Sequence, residues 1–161
     1  MTAVLQETTE KRGERNPVRL YRKILAAYDG SENAKRALSR AATLARELGA
    51  ELGIVVVVNT KIPVYGPFAP YYPADFADQI VKEGQTMLAS AIEMVKGKIP
   101  DVSGSVEDGN AAEVILEVAE SGAADLIVLG RRGISGVERF LMGGVSNSVV
   151  SHSGRDVLIV K

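Results

Sequence analysis

Short runs of β-branched and aliphatic residues alternate along this chain with longer stretches in which apolar positions recur every three or four residues. The runs fall at 23–28, 52–58, 102–107, 126–129 and 157–160. Near-continuous apolar runs mark strands buried on both faces, and strands alternating with helical patterns mark a parallel sheet covered by helices on both sides. Four helical stretches lie between them. In the first, Ala34, Ala37, Leu38, Ala41, Leu44, Ala45 and Leu48 share one face, with Ser31 placed to cap the start and Gly49 to end it. The second covers about 74–96 and sets Phe76, Ile80, Met87, Leu88, Ala91 and Val95 on one side. Asn110 followed three residues later by Glu113 opens the third, which ends near Gly122. The fourth spans about 145–153.

Right-handed crossovers place successive parallel strands side by side, and an open sheet of this kind reverses its winding once. If the chain returns after the third strand to lay the fourth on the far side of the first, a crevice opens between strands one and four. Ligands bind at the carboxyl ends of strands at such a reversal. The first strand ends in Asp29-Gly30-Ser31, and the fourth runs into a glycine-rich stretch that begins at Gly130.

That stretch, GRRGISGVERFLMGGVS over 130–146, holds Gly130, Gly133, Gly136, Gly143 and Gly144. Without Cβ atoms a backbone can bring successive N–H groups close to an anion, and a following helix N-terminus adds its own partial positive charge. Arg131, Arg132 and Arg139 favour an anion. On spacing alone the glycines could instead form a long turn between strand and helix, the less favoured reading. Two other phosphate loops are excluded: no Gly-Lys-Ser/Thr occurs, and only Gly30 and Asn59 stand where a dinucleotide fold needs three glycines and an acidic residue.

Composition narrows the chemistry further. The 161 residues amount to one domain, and 46% hydrophobic residues supply one core. With 0 cysteines there is no thiol nucleophile, disulfide or cysteine-ligated metal, which fits a reducing cytoplasmic setting. A net charge of −1 gives no broad attraction to nucleic acid or to an anionic membrane, so neither is expected as a partner. The run 54–58 is far short of the roughly 18 apolar residues of a membrane span, so a soluble protein is expected. Residues 1–21 read as a polar tail ahead of a domain at 22–161, and Glu7, Glu10 and Glu14 speak against a transit peptide. His152 has neither a second histidine nor a cysteine to work with, which points to a structural or solvated role. No pair of carboxylates has acid/base spacing, and no metal-ligand set can be assigned.

Residues 59–76 hold four of the six prolines (Pro63, Pro67, Pro70, Pro73), three of the five tyrosines (Tyr65, Tyr71, Tyr72) and two of the three phenylalanines (Phe68, Phe76). Such a loop, leaving the end of the second strand, reads as a lid, as a surface for a protein partner, or as a segment folded on the core by its own aromatics.

Gly130, Gly133 and Gly143 give the spacing Gly-x2-Gly-x9-Gly between a strand and a helix, and with it the chain resembles the universal stress protein family over about 22–161. KILAAYDGSENAKRAL, AELGIVVVV, EDGNAAEVILEVAESGAADLIVLG and DVLIVK carry the likeness further. The resemblance implies a single-domain α/β fold with an open parallel five-stranded sheet of order 3-2-1-4-5, like that of adenine nucleotide alpha hydrolases. It also implies an adenine nucleotide as ligand: ATP with accompanying Mg2+, or AMP or a relative. Carried over by position, Asp29 would face the ribose and phosphates, Ala27 and Tyr28 would flank the base, and Val57 would offer its backbone to the adenine edge. Gly130, Gly133 and Gly143, with the amides of Val145 and Ser146 and with Leu129, Arg132 and Gly144 beside them, would cradle the phosphates. Read from the residues alone, Asp29 could instead be a turn carboxylate and Val57 plain core strand.

Two departures stand out. Gly144 occupies a position where the family carries a hydroxyl, and Gly109-Asn110-Ala111 replaces a Gly-Asp-Pro turn. The expected function is a nucleotide-binding stress regulator or sensor, homodimeric through the strand at 157–160, and not a fast catalyst. Two alternatives are a nucleotide-independent dimer acting by protein contact and an enzyme that cleaves ATP at the α-phosphate. The latter lacks the Ser-Gly-Gly loop expected after the first strand.

Overall fold

The computed structural model describes residues 20–61, 75–131 and 144–161. Nine elements follow one another: β1 (Lys23–Ala27), α1 (Glu32–Leu48), β2 (Glu51–Val58), α2 (Phe76–Val95), β3 (Val102–Asp108), α3 (Ala111–Ser121), β4 (Leu126–Gly130), α4 (Gly144–His152) and β5 (Asp156–Val160). All strand pairs are parallel and the order is β3-β2-β1-β4-β5. The strand runs read from the sequence therefore hold to within one residue at each end, and the winding reverses at β1, where β2 and β4 flank the same strand.

Side chains alternate between two core layers, as period two requires. Ile24, Ala26, Ile54, Val56 and Val128 face α1 and α2, while Leu25, Val55, Ile127 and Leu129 face α3 and α4. Local chemistry sets the helix ends. The Ser31 hydroxyl accepts the Ala34 N–H at 3.1 Å to open α1, and Gly49, at φ 61°, closes it with its N–H turned back to Ala45 and Arg46. The Asn110 side chain likewise accepts from Ala112 and Glu113 to start α3.

On α2 the buried face differs from the expected one. Ala91 and Val95 are buried, but Phe76, Ile80, Met87 and Leu88 are only half-buried, and the closest approach is made by Gly84. A Cβ there would stand 2.7 Å from Val58 Cγ1 and 2.8 Å from Val106 Cγ1, and one on Gly104 of β3 would meet Leu88 Cδ1 at 2.6 Å. The helix settles onto the outer two strands through these missing side chains, so its first turns stand clear of the deep core.

Candidate functional site

The carboxyl ends of β1, β2 and β4 converge where the winding reverses. β1 stops at Ala27, and the Tyr28 N–H still reaches the Val55 carbonyl at 2.9 Å. Parallel alternation then turns the peptide groups of Val57 to the same side, beyond the last residue of β1. The Tyr28 side chain departs from expectation. It is 5% exposed, packs into the α1/α2 core and sets its hydroxyl 3.6 Å from Met94 Sδ, so only its backbone faces the crest. Ala27 is half-buried against the opposite layer.

Next in the chain, the Asp29 carboxylate accepts the Ser31 N–H at 3.0 Å across Gly30, whose φ of 80° suits glycine. This is the turn-carboxylate geometry, and it holds the half-buried Asp29 beside the start of α1. Across the crevice, Leu129 is buried and Gly130 ends β4. A Cβ on Gly130 would stand 2.8 Å from the carbonyl carbon and Cβ of Asn33 and 3.0 Å from the Ala34 nitrogen. Glycine is thus needed at 130 for α1 to seat its first turn against β4, whatever binds there.

α4 brings its first turn to the same crest. Ser146 is 2% exposed and its hydroxyl donates to the Arg131 carbonyl at 2.9 Å, which ties the helix start to the strand end. Val145, by contrast, is 41% exposed, and no described residue lies within 4 Å of a Cβ built on Gly144. The structure therefore brings Ala27, Tyr28, Asp29, Val57, Leu129, Gly130, Gly144, Val145 and Ser146 to one end of the sheet. Arg132, Gly133 and Gly143 lie outside the described residues, as do Pro63, Tyr65, Pro67, Phe68, Pro70, Tyr71, Tyr72 and Pro73 of the 59–76 loop and residues 1–19 of the expected tail.

One clamp beside the crest was not legible from spacing. Asp108, at the end of β3, accepts the Thr60 N–H at 2.8 Å with one oxygen and the Thr60 hydroxyl at 2.7 Å with the other, while the Gly109 N–H donates to the Val58 carbonyl at 2.9 Å. The Thr60 backbone bond, then its hydroxyl, holds the Asp108 carboxyl below its ordinary range. The end of β2 around Val57 is thereby fixed to its outer neighbour. His152 Nδ1 lies 2.8 Å from the Ser148 carbonyl on its own helix, a local contact at an exposed position. Among the described residues no cluster of three or more carboxylates or histidines could hold a metal, and no helix is long and apolar enough to cross a membrane.

Fold and crest together define an α/β protein of the doubly wound class, with a crevice where the winding reverses. Residues 20–161 match the model of the universal stress protein family, and the chain belongs to that family. It is 34% identical over 143 residues to a Staphylococcus aureus (strain USA300) protein assigned to the universal stress proteins, a match covering 88% of this chain and 84% of that one. A family protein from Burkholderia pseudomallei is 26% identical with a TM-score of 0.69, covering 89% of this chain and 98% of its own. Another universal stress protein, whose crystal structure is in complex with cAMP, is 27% identical with a TM-score of 0.65, covering 87% of this chain and 96% of that one.

Proposed function

We propose that this chain binds an adenine nucleotide, ATP in the first place, across the carboxyl ends of β2, β1 and β4 and acts as a homodimeric regulator in the cytoplasmic stress response. The observation that carries the reading is the convergence of Asp29, the outward peptide groups of Val57 and the first turn of α4 at the winding reversal. In that arrangement the Val57 peptide offers one donor and one acceptor to a base edge, Asp29 offers a carboxylate oxygen to ribose hydroxyls, and the N–H groups of Gly144, Val145 and Ser146 meet phosphate. The relative in complex with cAMP supports an adenine nucleotide as the class of ligand. When ATP is bound, Mg2+ would be held by its phosphates and water, since the described residues form no carboxylate cage for it.

A second reading is kept alive by Gly144. Glycine has no side chain to reach towards a phosphate from that position, and a dimer working by protein contact alone would need none. Heat denaturation of the purified protein followed by mass spectrometry of the supernatant separates the two. ATP, AMP or a cyclic relative released at near-stoichiometric yield supports the nucleotide reading. Release of none, together with no heat of binding for ATP or AMP in calorimetry, would replace it with the nucleotide-independent dimer.

A further inference from the structure

A cleft of about 590 Å³ opens between α1 and α2 on the face of the sheet away from α4, within the size range of small-molecule sites. It borders the crest at Tyr28 and Gly30, and its other lining side chains come from α1 and α2. Its apolar part is chiefly the half-buried Met87 side chain, which lies 3.7 Å from the point where a Cβ on Gly30 would stand, with the almost fully buried Tyr28 at its floor. The Tyr28 hydroxyl is engaged with Met94 Sδ, and the Thr86 hydroxyl donates to the Lys82 carbonyl at 2.9 Å, so neither is an idle donor. The charged donors are two ammonium groups, Lys35 from α1 and Lys82 from α2. Lys35 is paired with Glu32 at 2.6 Å, whereas Lys82 has no ion pair among the described residues.

We propose that this cleft is a second small-molecule site, independent of the nucleotide crest, and that it takes a small amphipathic monoanion: an aromatic or short aliphatic body carrying one carboxylate. The body would lie on Met87, above the Tyr28 floor, since a polarizable thioether adapts to flat apolar groups. The carboxylate would meet Lys82, with the remaining donors of Lys35 within the same cleft. Charge selects a monoanion over a polyphosphate. The Lys35 and Lys82 charges are balanced by Glu32, which is bonded to Lys35, and by Glu83, which also lines the cleft, so the surroundings carry no net positive field to hold several negative charges. A nucleotide is accordingly a poor occupant here and a good one at the helix start of α4.

The test uses the full chain labelled with 13C at the methionine methyl groups, four in all, with the Met87 resonance assigned through Met87→Leu. The probe is 4-phenylbutyrate, and 4-phenylbutan-1-ol supplies the same body without the charge. A saturable shift of the Met87 methyl with the acid is expected. Affinity should fall about three- to five-fold for the alcohol and for Lys82→Gln, the effect of losing one exposed charge contact. Excess AMP should leave the titration unchanged. A Met87 methyl that does not move with the acid would overturn the site, and equal binding of acid and alcohol, or of wild type and Lys82→Gln, would overturn the ligand class. Displacement by AMP would assign the probe to the crest and remove the second site. Lys82 is exposed on α2, so its substitution leaves the fold intact.

Discussion

At the scale of single residues, a motif glycine and the glycine that departs from the motif have opposite structural meanings. Gly130 is fixed by contact, with Asn33 and Ala34 of α1 at 2.8–3.0 Å from any Cβ placed on it, whereas Gly144 meets no described residue within 4 Å of such a Cβ and carries no left-handed φ. Gly130→Ala should therefore lower stability without any nucleotide present, by about 1–3 kcal/mol, the usual effect of overpacking. Gly144→Ser should leave stability nearly unchanged and, on the proposed nucleotide reading, add one hydroxyl hydrogen bond to a charged phosphate, which is worth roughly 1.5–3 kcal/mol. ATP affinity should then rise by about tenfold or somewhat more, with AMP gaining much less if its single phosphate lies away from α4. Calorimetry of both variants with ATP and AMP, beside thermal melts, checks the pair. An equal gain for ATP and AMP would misplace residue 144, and an unchanged melt for Gly130→Ala would contradict the helix contact. Spacing marked Gly130 as a motif glycine and Gly144 as a departure, but the contact that requires glycine at 130 depends on how far α1 leans on β4, which no local pattern encodes.

Among elements, what was legible is what local chemistry decides. Ser31, Gly49 and Asn110 act through bonds to residues at most five positions away, and each stands at the helix end where the sequence put it. Long-range anchors were not legible, because they join ends of strands distant in sequence. Asp108 reaches Thr60, and Asp125 accepts the N–H groups of Arg22 at 2.7 Å and Lys23 at 3.0 Å, fixing the entry to β1. The Arg22 backbone bond is the main cause that holds the Asp125 carboxyl below its ordinary value, against a smaller opposing effect of desolvation. A carboxyl depressed on folding stabilises the native state above its unfolded pKa of roughly 3.9. That contribution is lost as pH falls through the lower folded value. Asp125→Asn should thus melt about 1–4 °C below wild type at pH 7. The gap should close as the pH is taken below the folded value. Melting curves across the acid range check this, and a gap that stays constant with pH would show that the carboxylate charge contributes nothing.

For the whole molecule, the two edges of the sheet are built differently. β3 is polar, with Ser103, Gly104, Ser105, Glu107 and Asp108 among its seven residues, which blunts its outer side. β5 is apolar over Val157, Leu158, Ile159 and Val160 and has β4 as its one neighbour among the described strands. An apolar edge of this kind invites a further strand, and a second copy related by a two-fold axis supplies one. Which peptide groups would meet the mate follows from one bond: the Val160 carbonyl accepts the Arg131 N–H at 2.8 Å, so Val160 and Leu158 point to β4 and Val157 and Ile159 point outward. Sequence alone does not separate these alternate residues, since all four read as one apolar run. Proline is tolerated in an edge strand where its missing N–H faces away from the sheet. Val157→Pro should accordingly convert a dimer into a folded monomer, while Leu158→Pro, which removes an N–H from the native ladder, should lower the melting temperature as well. Sedimentation equilibrium at roughly tens of micromolar, where a stable dimer of standard interface size is populated, reads the assembly, and circular dichroism reads the fold. A wild-type monomer, or a dimer that persists in Val157→Pro, would move the proposed interface away from β5, and the half-exposed Val145 and Val150 of α4, at 41% and 45%, would be the next apolar surface to examine.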